Sequence, residues 1–182
     1  MRTFTLLTIL LLSIGLVGCS SHSDRYDTVT NYLSIHDGSV SVHAPGRPDA
    51  DISAAGDLSI KGAGVTVTSG QRELLKHYYD TALTLRTHGI AAGNAGIATA
   101  GKAISSVASG LASGDTDKID RDVNASAARV EAQANLVCQD LAELQSTQDT
   151  LAAQIPAFKP YALIRSHEAE DCRRGLDHRN HD

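Results

Sequence analysis

Tryptophan is absent from this chain, and aromatic residues of any kind make up only 4% of it, as five Tyr and two Phe, beside a single Met. The hydrophobic share is nonetheless 42%, so it rests on Ala, Val, Leu and Ile. Any core must therefore be narrow and built from small side chains. Basic residues are the minority charge: 16 Lys and Arg stand against 21 Asp and Glu, a formal net charge of −5. Residues 1–18 carry Arg2 as their one charged side chain, so removing them leaves −6. A nucleic-acid binder normally shows a basic face, and this balance argues against nucleic acid as a partner. Catalytic signatures are missing as well. No Gly-x-Ser-x-Gly elbow and no Ser-x-x-Lys are present, and the glycine-rich stretch 89–101 lacks the Gly-Lys-Ser/Thr of a phosphate loop.

What is there begins at the N-terminus. Met1-Arg2 opens a short positive region, Leu6 to Val17 is an apolar run, and Gly18-Cys19 closes it. That is the pattern of a secretory signal over 1–18, with a core too short for a spanning helix. Leu16-Val17-Gly18-Cys19 resembles the bacterial lipobox, which implies cleavage before Cys19 and lipidation of Cys19. Acyl chains add about 0.8 kcal/mol per buried methylene, and two or more hold a protein firmly to a bilayer. Ser20 follows the cysteine where an Asp would signal retention at the inner membrane. By resemblance to enterobacterial sorting, the expected place is therefore periplasmic, anchored to the outer membrane. Residues 19–28 form the lipidated Cys and a polar tether. The remaining thiols, Cys138 and Cys172, make an even pair in an exported chain, and a disulfide is the preferred reading of both.

At 182 residues the chain fits one domain, or one small domain with a long helical arm. The mature part, 29–182, reads as a single α+β domain. Over 29–68 apolar and polar residues alternate. Asp37-Gly38 is a two-residue hairpin signal, since both turn positions favour positive φ. A second hairpin runs from Ala50–Ser53 to Asp57–Lys61 through Ala54-Ala55-Gly56, and Gly62 and Gly64 then admit a last strand at Val65–Thr68. These strands share an apolar face (Val40, Val42, Ile52, Leu58, Ile60, Val65, Val67) that needs a cover. Thr68-Ser-Gly-Gln71 matches a capping box, so a helix is expected over 69–88, burying Leu75, Tyr78, Tyr79, Ala82 and Leu85 and stopping at His88-Gly89.

Residues 89–114, rich in Gly, Ala and Ser, read either as a helix or as a linker. Read as a helix, Gly89, Gly93, Gly101, Ser105 and Ser109 recur at multiples of four, an edge on which another helix could approach closely. Each glycine costs about 1 kcal/mol relative to Ala, so such a helix needs a partner. A long helix over 116–155 then carries an unbroken 3/4 seam: Ile119, Val123, Ser126, Val130, Ala134, Val137, Leu141, Leu144, Gln148, Leu151, Ile155. Its small-residue first half is the natural antiparallel mate of 89–114. The tail 156–182 turns at Pro156 and Pro160, with a short helix expected within Tyr161–Arg174.

Candidate chemistry is thin. His167, Glu168, Glu170, Asp171, Cys172, His178, His181 and Asp182 crowd the C-terminus, but their spacing matches no closed tetrahedral ligand set. A solvated polar tail is expected, with no metal and no cofactor. His77 reads as a boundary histidine. Gln71 and Arg72 are the possible contact pair, serving either to anchor the helix start to the sheet or to present charge to a ligand.

The run Ile52-x3-Gly56-Asp57-Leu58-x-Ile60-x-Gly62-x2-Val65-x-Val67-Thr68-x2-Gln71-Arg72-x5-Tyr78 resembles the front of the YggN-like family of uncharacterised proteobacterial periplasmic proteins, a domain of unknown function. Val137-Cys138 with Leu141 and Leu144 is a second echo. Together they cover about half the mature chain, which departs from the pattern in a longer middle and in the lipobox. The resemblance implies an envelope protein and supplies no catalytic residues. The expectation is a non-catalytic, lipid-anchored cell-envelope protein acting as an interaction or structural module, binding envelope proteins or itself. The alternatives are a periplasmic inhibitor or ligand-binding lipoprotein and, from a different class, a cell-envelope hydrolase.

Overall fold

A computed structural model describes residues 32–113 and 116–177. The signal, Cys19 and the tether lie outside the described residues, as do His178, His181 and Asp182. The architecture is α+β: a five-stranded antiparallel meander covered on one face by helices. The strands are β1 (Leu33–His36), β2 (Ser39–Val42), β3 (Ala50–Ser53), β4 (Leu58–Ile60) and β5 (Ala63–Val65), in spatial order of sequence.

Turn chemistry sets the register. Asp37 and Gly38 both take positive φ, 48° and 76°, the conformation a tight two-residue hairpin requires. The resulting pairing lines up two apolar rows across the sheet. One is Leu33, Val42, Ala50, Ile60; the other is Ile35, Val40, Ile52, Leu58, Val65. The opposite face carries Ser34, Ser41, Asp51 and Ser59 in one row. The last hairpin corrects the expected strand at Val65–Thr68. Lys61 and Gly62 take positive φ, 53° and 74°, so the turn closes early and β5 starts two residues sooner, as Ala63–Val65.

Helix α1 (Ser69–Ser113) follows at once, 45 residues long. Its capping box is formed: the Thr68 amide donates to Gln71 Oε1 at 2.9 Å, and the Gln71 amide donates to Thr68 Oγ1 at 3.3 Å. The expected stop at His88-Gly89 is overturned, because α1 runs straight through it and 89–113 is helix, not linker. His88 turns its imidazole sideways to Asp140 rather than closing the helix end, with Nδ1 2.6 Å from Oδ2. The alanines among the glycines supply the helix propensity.

Helix α2 (Thr116–Gln154) returns antiparallel along α1 for 39 residues. Thr99 Oγ1 reaches the Ser126 carbonyl at 3.3 Å, and Gln71 Nε2 donates to the Gln154 carbonyl at 2.9 Å. The hairpin is thereby pinned at its middle and at its base. Near the base, α1 contributes Leu75, Tyr78, Tyr79 and Ala82 to the core, α2 contributes Leu141, Leu144 and Leu151, and Ile155 follows just past the end of α2. Phe158, Tyr161 and Ile164 complete it, the Phe158 ring meeting Tyr78 edge-on at 5.9 Å. The tail makes a single helical turn at Lys159–Tyr161 and then α3 (Glu168–Asp177).

Candidate functional site

Cys138 on α2 and Cys172 on α3 are bonded to each other, with Cα atoms 5.6 Å apart. The bridge pins α3 along the middle of α2. Cys172 is therefore not available as a metal ligand, and among the described residues no three His, Cys, Asp or Glu side chains converge as a metal site would.

Gln71 and Arg72 are both engaged within the fold. Gln71 joins the capping box to the end of α2. The Arg72 guanidinium is bound to the Asp57 carboxylate on the strand side. That hydrogen bond and the adjacent positive charge hold the Asp57 pKa below the ordinary carboxylate range. Gly56 beside it has φ 76°, and a Cβ there would fall on the Arg72 carbonyl oxygen. The turn and the first turn of α1 are in backbone contact. This is anchorage of helix to sheet. His77, also on α1, has a carboxylate partner that spacing did not show, since Nε2 lies 3.0 Å from Glu143 Oε1.

A side-chain relay on the polar face of the sheet escaped the sequence reading. Ser34 Oγ lies 2.7 Å from His43 Nε2, and His43 Nδ1 lies 2.8 Å from Asp49 Oδ1. With Asp49 accepting from Nδ1–H, Nε2 accepts from the serine hydroxyl, the order of nucleophile, base and orienter used in acyl transfer. The strand pattern held part of this signal: Ser34 pairs with Ser41, and His43 lies two residues on, diagonally across the same face. Asp49 comes from the loop before β3, which no periodicity reaches. Two features weigh against catalysis. The His43 and Asp49 side chains are 36% and 52% exposed, so solvent screens the carboxylate. The Ser34 amide belongs to the hydrogen-bonded ladder with β2, so it is committed to the sheet and does not serve as an oxyanion donor.

Beyond Arg86, α1 leaves the sheet, and its surface changes character. Ala92, Ala95, Thr99, Ala103 and Ser106 are half-buried toward α2. On the opposite side Ile90, Ile97 and Ile104 are 52%, 75% and 75% exposed. Their spacing of seven keeps Ile90 and Ile104 each within roughly 20° of Ile97 around the helix. The expected small-residue edge is not where α2 packs. Steps of four advance about 40° each, so Gly89, Gly93, Gly101, Ser105 and Ser109 wind around the outside, all exposed. A Cβ at Gly93 or Gly101 would meet nothing within 4 Å. Between the helices a hollow of about 50 Å³ is lined by Thr99, Lys102, Ser126 and Arg129, room for water and too small for an organic ligand. No helix among the described residues is long and apolar enough to cross a membrane. No family model matches the chain, nor does any curated protein or solved structure.

Proposed function

We propose that this chain is a non-catalytic, lipid-anchored protein of the cell envelope, held at the periplasmic face of the outer membrane by Cys19. It acts as an interaction module through the outer face of its helical arm. The observation that carries the reading is the exposed row Ile90, Ile97, Ile104. Isolated exposed apolar residues need no explanation, but a contiguous row of large ones marks a contact surface. The lipobox and Ser20 support the address, and the likeness to the YggN-like family agrees with an envelope role.

The test is photo-crosslinking in intact cells with a benzophenone amino acid at position 97, or at position 59 on the polar face of the sheet as control. A discrete product from 97, absent from 59 and lost with Cys19→Ala, is expected. No product from 97 refutes the contact role. A product that survives Cys19→Ala refutes the need for the anchor.

A second reading, an envelope hydrolase acting through Ser34, takes its support from the Ser34–His43–Asp49 relay. It requires that a fluorophosphonate probe label Ser34 and that His43→Ala abolish the labelling. An unlabelled serine removes it.

A further inference from the structure

We infer that the arm's partner is a second copy of this chain, the two α1 helices packing antiparallel about a two-fold axis at Ile97. The inference rests on the reading of the arm's outer face as the contact element, and it names the occupant.

The first ground is that this face is complementary to itself. Outward from Ile97 the pattern is the same in both directions, Ile90-x2-Gly93-x3-Ile97-x3-Gly101-x2-Ile104. In an isologous interface residue i of one copy meets residue j of the other and the reverse, so a row that reads alike in both directions sets like layer on like. Turned antiparallel about Ile97, the two helices stack Ile90 on the partner copy's Ile104, Gly93 on Gly101, and Ile97 on its own counterpart. Large layers alternate with small ones at about 4.5 and 6 Å along the axis, at 1.5 Å per residue.

The glycines are the second ground. Gly93 and Gly101 sit roughly 40° either side of the isoleucine row, and each costs the helix about 1 kcal/mol relative to Ala. Nothing in their own chain uses the space, since both stand open with nothing within 4 Å of a would-be Cβ. Between two copies, that space lets the backbones close on the isoleucine layers.

Charge selects the direction. Between Thr87 and Val107, Lys102 is the one Lys, Arg, Asp or Glu, and it borders the hollow on the α2 side. Two copies of a chain of net charge −5 therefore meet here without like-charge contact. Parallel packing would set exposed Arg86 against exposed Arg86. Antiparallel packing about Ile97 separates the two Arg86 side chains and sets each beside Ala108 of the other copy. A bilayer surface fits less well, because interfacial helices bring aromatic and basic residues to the boundary and this row has neither beside it. From Ile90 to Ile104 the row covers roughly 21 Å by 10 Å of helix, well under the ~800 Å² per partner of a standard interface. The dimer is weak in dilute solution, and confinement on one membrane raises its effective concentration.

The experiment uses the full lipidated chain in its native membrane with three variants, Ile90→Cys, Ile97→Cys and Ile104→Cys, oxidised with copper phenanthroline and run without reductant. Cys138 and Cys172 are already paired. Expected is a crosslinked dimer from the position-97 variant alone, and from positions 90 and 104 only when those two variants are co-expressed. Self-crosslinking equal at all three positions overturns the antiparallel geometry, and none at 97 overturns the pairing. Ile97→Glu is expected to cut a dimer trapped by lysine-reactive crosslinker at least tenfold with helicity by circular dichroism unchanged. An undiminished dimer also overturns the proposal. If the benzophenone at 97 captures a different protein while position 97 forms no dimer, the contact role stands and self-pairing falls. If neither gives a product, both fall.

Discussion

Replacing Gln148 by Leu tests whether a polar residue in an apolar seam holds the tail to the hairpin. Gln148 is 1% exposed. Its Oε1 accepts from the Leu163 and Ile164 amides at 2.9 and 3.0 Å, and its Nε2 donates to the Ile164 carbonyl at 3.0 Å. One side chain thus replaces the strand partner that residues 163–164 lack. The Leu163 amide also donates to the Tyr161 carbonyl at 3.0 Å, so a leucine in place of Gln148 would strand one donor and one acceptor, both on Ile164. Each buried group left unpaired costs about 1–3 kcal/mol. The added apolar burial returns about 1–2 kcal/mol. A net loss of about 2 kcal/mol follows, or roughly 4–8 °C in Tm for a chain of this size. Urea unfolding followed by circular dichroism measures it. Gln145→Leu is the control, since Gln145 bonds only the exposed Asp149, and it is expected to change stability by under about 0.5 kcal/mol. A Gln148→Leu protein as stable as the control variant would refute the reasoning, showing that the freed groups find water.

Three further outcomes follow from local geometry. Gly56 and Gly38 share φ 76°, but only Gly56 faces backbone, so Gly56→Ala should cost about 2–5 kcal/mol and Gly38→Ala about 1 kcal/mol in urea midpoint analysis. Cys138→Ala with Cys172→Ala opens a loop of sequence separation 34, a loss of about 3–4 kcal/mol in the chain-entropy model, and limited trypsin digestion should then cut first at Arg173 or Arg174. The Asp57 pKa is depressed in the folded state, so its contribution is present above the unfolded value near pH 4 and is lost as pH falls through the folded value. Arg72→Gln should therefore flatten the acid limb below about pH 4, measured as the change in urea midpoint between pH 5 and pH 2.5; an unchanged limb would contradict the pairing.

The sheet and its cover were legible because their signals are local. Asp37-Gly38 and the alternation around it place both apolar rows, and Thr68 with Gln71 marks where α1 begins. The seam of α2 also read true where it matters, with Ser126, Leu141, Leu144, Gln148, Leu151 and Ile155 buried. Where the reading failed, tertiary contacts outweighed local preference. His88-Gly89 has the composition of a helix end, but Asp140 claims the imidazole from 52 residues away. Lys61 accepted a left-handed conformation that glycine usually holds, which shifted β5. The glycine edge failed for a geometric reason, since a repeat of four drifts around a helix of 3.6 residues per turn while a repeat of seven holds its side. Ser34, His43 and Asp49 meet through a loop conformation that spacing alone does not encode.

Because α1 is one helix from the sheet to the hairpin tip, its two ends are mechanically one object. About 28 residues lie beyond the core, so the tip stands roughly 42 Å from Arg86. At that length a 10° tilt of the base sweeps the tip through about 7 Å. Anything that grips the sheet moves the arm as a lever, and the angle at which the base is held decides what the arm can reach.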